Sequence, residues 1–120
     1  MLSVVNMLIS PAEGGWWKLD VEALSESLHD QWPRIVHERR DPDAQRHDLW
    51  TWPDNAEIWV PWDAECVWVA ADELLVSAVA VWLARRAERS LVLCDEGYNE
   101  HLELSSKSED QVRSWMQGHI

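Results

Sequence analysis

Residues 48 to 62 read DLWTWPDNAEIWVPW, two runs of β-favouring side chains joined through Asp54 and Asn55, residue types that tolerate a left-handed backbone. The stretch predicts an antiparallel hairpin, and its register decides which side chains share a face. With Asp54 and Asn55 as the two loop residues, Trp50 stands opposite Trp59 and Trp52 opposite Glu57. Asp48, Trp50, Trp52, Glu57 and Trp59 then line one face, while Leu49, Thr51, Ile58, Val60 and Trp62 line the other. The aliphatic side is the natural one to lie against helices, which turns three indoles bordered by carboxylates outward. Such a composition suits a partner-binding surface. Core packing is the competing reading of the same five residues, because a slip of one residue exchanges the two faces.

Working outward from the hairpin, residues 2 to 9 read as a first strand, and Pro11, Gly14 and Gly15 mark the loop after it. Asp20 caps a helix whose apolar positions Val21, Leu24, Leu28 and Trp32 fall at helical spacing, and Pro33 stops it. A short strand is expected over residues 34 to 38, then a polar loop over 39 to 47. After the hairpin, Cys66 to Val69 reads as a strand, and Asp72 and Glu73 open an apolar helix running to about Glu88. LVLC and HLEL pair as strands across DEGYN, and Ser108 to Gln111 has the form of a capping box before a last helix. The order is β-α-β-β-β-(β)-α-β-β-α. Helices on one side of a largely antiparallel sheet satisfy it, so the expected fold is a single α+β domain over 1–120, a two-layer sandwich with about three helices. The first strand, first helix and second strand are candidates for a parallel crossover.

Ten of the 120 residues are Trp, Phe is absent and Tyr98 stands alone, so the aromatic surface is almost all indole. Trp32, Trp68, Trp82 and Trp115 sit on apolar stripes and are expected in the core, which leaves Trp50, Trp52 and Trp59 as the informative set. The hydrophobic share of 47% argues against wholesale disorder. Ten basic residues against 22 acidic ones give a formal charge of −12, which disfavours nucleic acid and anionic membranes as partners and favours a cationic one. The apolar start from Met1 to Ile9 lacks preceding basic residues and is broken by Ser3 and Asn6, so a cytoplasmic protein is expected.

Candidate chemistry is sparse. Cys66 and Cys94 lie in apolar runs without metal or redox spacing and read as buried free thiols. Asp41, Asp43, His47 and Asp48 hold oxygen and nitrogen donors but lack the glycine turn and downstream Glu of a calcium loop, so a solvated loop is the better reading and no metal site is expected. His101 and Glu103 share a strand face and permit acid/base work, as would any exposed polar pair. Arg85, Arg86 and Arg89 suit the C-terminal end of a helix dipole, and the Asp95 to Tyr98 stretch reads as a turn closed by Gly97. No nucleophile elbow, triad order or phosphate-cradling loop organises a catalytic set, and no cofactor is expected.

The expected function is a small acidic protein-binding module, of the inhibitor or immunity type, that neutralises a basic toxin or nuclease, with Trp anchors inside a charged rim. A small hydrolase or a carbohydrate-binding domain with a Trp-lined site is the alternative, and a homodimer closed by the Trp patch is a third possibility. A concave pocket holding convergent titratable groups would point to the enzyme, an exposed patch to the binder.

Overall fold

The computed structural model describes residues 4–12, 17, 19–39, 47–61, 63, 65–95, 97 and 100–119. The chain runs β1 (Val5–Pro11), α1 (Val21–Gln31), β2 (Val36–Arg39), β3 (Asp48–Thr51), β4 (Glu57–Val60), β5 (Val67–Ala71), α2 (Glu73–Arg86), β6 (Leu91–Asp95), β7 (His101–Glu103) and α3 (Glu109–His119). This is the expected α+β order, with four strands between the first two helices.

Local chemistry fixes the helix starts. The Asp20 carboxylate accepts the Ala23 N–H at 3.1 Å and the Asp72 carboxylate that of Leu75 at 2.9 Å, each satisfying a donor that has no partner inside its own helix. Before α3 the capping box closes in both directions: Gln111 N–H donates to the Ser108 hydroxyl, and Ser108 N–H to the Gln111 side chain.

Among the described residues, seven strands form one antiparallel sheet in the order β2-β3-β4-β5-β1-β6-β7. β5 and β6 both pair with β1, so α2 carries the chain across the strand that separates them. β1 and β2 run in the same direction, because four antiparallel pairings lie between them, yet three strands keep them apart. The expected crossover therefore exists in direction but joins an interior strand to an edge. Both edges carry charged residues, Glu38 and Arg39 on β2 and Glu103 on β7, which discourages pairing with another sheet.

Alternation divides the sheet into two faces. Met7, Ile9, Trp50, Ile58, Val67, Val69 and Leu93 turn to the helices and meet Leu24, Leu28, Val76, Val79, Ala80, Leu83, Val112 and Met116 in the main core. A smaller cluster of Leu8, Val92 and Cys94, with Cys66 and Trp68 against it, occupies the opposite face. One cross-strand row there runs Leu49, Trp59, Trp68, Leu8 and Cys94 over five consecutive strands, with the Trp59 and Trp68 rings stacked at 5.2 Å.

The hairpin register differs from the expected one by a single residue. Trp50 faces Ile58, Leu49 faces Trp59 and Thr51 faces Glu57. Pro53, Asp54 and Asn55 form a three-residue loop: Trp52 N–H donates to the Ala56 carbonyl, Asn55 N–H to the Trp52 carbonyl, and Asn55 alone takes a left-handed backbone at φ 73°. A two-residue loop of either primed type needs positive φ at its first residue, and Asp54 does not supply it. The side chains of β3 consequently change sides, while those of β4 keep the expected ones. Asp48, Trp50 and Ile58 lie on the helix side, and Glu57 and Trp59 lie on the other.

Candidate functional site

The five residues expected to form one contact face are thus distributed over both sides of the sheet. Trp50 is fully buried, stacked on His37 at 4.7 Å with planes 10° apart, and its indole N–H donates to the Ser25 hydroxyl at 3.1 Å. The partner requirement of a buried indole is met inside the core. Asp48, 2% exposed, accepts from His37 Nε2 at 2.9 Å and Arg39 Nε at 3.0 Å, and Arg39 reaches on to Glu22 at the start of α1. The hydrogen bond to Asp48 and its charge hold the Arg39 guanidinium further above its already high ordinary range. Asp48 and Trp50 tie β2 and β3 to α1. Trp59 is buried against Trp68 on the opposite face, with Glu57 half-buried beside it.

Trp52 alone of the three indoles belongs to an accessible site, and sequence reasoning did not group it with its real neighbours. Trp32, at the C-cap of α1, packs edge-to-face against Trp52 at 5.5 Å and against Trp82 of α2 at 5.2 Å. All three are half-buried and packed against the main core, so two of the expected core residues also belong to a ladder that reaches the surface. The Arg86 guanidinium lies over Trp82 at 4.9 Å from the ring centroid, within cation–π range. The indole N–H groups of Trp52 and Trp82 are buried without a hydrogen-bond partner.

Two cavities adjoin this ladder, and another lies further along α1 and α2 and shares Arg86 with one of them. The largest, about 610 Å³, has Trp17, Leu19, Leu24 and Leu83 as its apolar lining and Asp20 and Arg86 among its polar groups. A second, about 360 Å³, lies between Trp32 and Trp82 beside Arg85 and Glu109. The third, about 380 Å³, is the corner between Trp32 and Trp52, bounded by Gln31, Arg34, Pro53 and Asp54. Gln31 and Trp32 are common to the second and third, and Arg86 to the first and second.

Asp20, Glu88, Arg86 and Arg89 are the titratable lining of the largest cavity, whereas the histidine and thiol pairs lie elsewhere. His37 and Asp48 border none of these cavities, and neither do Cys94 and His101, which face one another across β6 and β7. Both thiols are free, Cys94 buried as expected but Cys66 only half-buried. Burial, then the charges of Asp63 and Glu65, push the Cys66 thiol up to about 11, away from nucleophilic use at neutral pH. Among the described residues no three His, Cys, Asp or Glu side chains gather as a metal site, and Asp41 and Asp43 lie outside those residues. Part of the turn that includes Glu96 and Tyr98 lies outside them as well. No described helix is long and apolar enough to cross a membrane. Comparison with protein-family models, with curated proteins and with solved structures yields no match.

Proposed function

We propose that this chain is a small acidic protein-binding module, of the inhibitor or immunity type, whose partner is a basic protein such as a toxin or nuclease. One observation supports the binding reading over the enzymatic one: among the described residues, the His37/Asp48 and Cys94/His101 pairs do not border the three cavities, and the titratable lining of the largest consists of carboxylates and guanidiniums, Asp20 and Glu88 with Arg86 and Arg89, without a histidine or thiol. Catalysis requires acid, base or nucleophile to converge where a substrate sits. Binding requires apolar anchors within a charged surround.

The choice of a basic partner is supported by charge. The formal charge is −12, and Glu22, Glu26 and Asp30 stand exposed on successive turns of α1. Such a field raises the association rate with a cationic surface and weakens with salt.

The test is binding to a panel of basic nucleases and toxins at low and high ionic strength, with a Glu26→Lys/Asp30→Lys variant alongside. Saturable binding that weakens at least about tenfold at high salt, and falls further in the charge-reversed variant, is expected. Absence of saturable binding across the panel, or binding indifferent to both changes, overturns the reading.

A further inference from the structure

We infer that the corner between Trp32 and Trp52 is a receptor for one cationic side chain, a guanidinium or an ammonium, of the basic partner. The inference rests on the reading above and names the point at which the partner is held.

Geometry supplies the first argument. The two indole planes stand 70° apart with centroids at 5.5 Å, which makes them adjacent walls of a corner, and Pro33 and Pro53 extend the apolar lining. Aromatic walls set nearly at right angles let a cation meet more than one ring, the arrangement by which aromatic cages recognise ammonium groups. A volume of about 380 Å³ accommodates the end of a Lys or Arg side chain with its methylene stem on the prolines.

Charge supplies the second. Asp54 lies in the lining and is exposed, while Asp30 precedes Gln31 and Trp32 on the last turn of α1. Arg34 is the opposing cation of the lining, and it limits the affinity of the corner. A third argument comes from within the chain: Arg86 already seats its guanidinium on Trp82, the other neighbour of Trp32. The ladder binds a cation at one end and presents a second aromatic corner at the other.

The experiment records the indole N–H signals of the folded, 15N-labelled protein during titration with N-acetyl-arginine amide. N-acetyl-norleucine amide serves as an uncharged probe of similar stem length. The arginine probe is expected to shift the Trp32 and Trp52 signals saturably, and to bind at least about fivefold more tightly than the norleucine probe. Asp54→Asn retains the oxygen that accepts the Ala56 N–H at 3.2 Å and removes the charge, so about a threefold loss is expected with the fold intact. Arg34→Ala should strengthen binding by a similar factor, and Trp52→Leu should abolish the Trp32 shift while the other indole signals stay dispersed.

Equal binding of the two probes would make the corner a plain apolar slot and overturn the inference. So would arginine-induced shifts that bypass Trp32 and Trp52, or that survive unchanged in both Asp54→Asn and Trp52→Leu. Failure here is separable from failure of the broader reading. Salt-sensitive binding of a basic protein that persists in Trp52→Leu would retain the partner and relocate its anchor, whereas a corner that binds the arginine probe in a chain that binds no basic protein would do the reverse.

Discussion

The indole N–H of Trp50 donates to the hydroxyl of Ser25 at 3.1 Å, joining the middle of β3 to the underside of α1 through a fully buried ring. The bond decides how the helix seats on the sheet, because a buried indole donor without a partner is costly. Ser25→Ala is therefore expected to lower stability by about 1–3 kcal/mol, and Trp50→Ala by about 3–5 kcal/mol through the cavity it leaves. Urea unfolding followed by circular dichroism measures both. Loss in Ser25→Ala of only a few tenths of a kcal/mol would show that the indole finds another acceptor.

The turn offers a second prediction. Asn55 holds φ at 73°, a region that Gly occupies freely and a β-branched residue resists. Asn55→Gly should leave stability within about 0.5 kcal/mol of the parent, and Asn55→Val should cost about 1–2 kcal/mol or more. Equal urea midpoints for the two variants would contradict the three-residue loop.

Asn55 also shows where sequence reading met its limit. Helix caps at Asp20, Asp72 and Ser108, the order of elements and the α+β class follow from local chemistry that each residue carries by itself. Register does not. It depends on whether two or three residues turn the chain, and the dipeptide Asp54-Asn55 satisfies a two-residue rule on composition while only Asn55 adopts the required backbone. Pro53 was the available signal: lacking an N–H, it suits a loop position better than a place in the ladder. Reading the loop as Pro53 to Asn55 would have placed Trp50 among the helices.

The Trp ladder was illegible for a different reason. Trp32, Trp52 and Trp82 come from a helix end, a hairpin and a second helix, and nothing in their spacing brings them together. Tertiary packing alone does so.

Cys66 supplies a third prediction. Its pKa rises from an ordinary value of 9.0 to about 11 because the fold disfavours the thiolate. Between those values the unfolded chain has lost a proton that the folded chain keeps, so the stability linked to this group is intact below pH about 9 and drains as pH rises toward 11. At pH 8 the two-unit difference lowers the thiolate fraction about 100-fold. In a Cys94→Ala background, alkylation of Cys66 in the folded protein should be slower than in urea by about that factor or more. A ratio below about fivefold would mean that the thiol is neither shielded nor electrostatically disfavoured.

The position of β1 bears on how the chain is made. β1 is synthesised before both of its neighbours, β5 and β6, so one of its edges stays bare until Leu91–Asp95 has been made. Nascent chains of intermediate length would carry Met7 and Ile9 exposed, and long-range pairing of this kind is slow. Completion of the sheet around β1 waits for β6, so the strand that is made before the other six is among the last to have both of its edges paired.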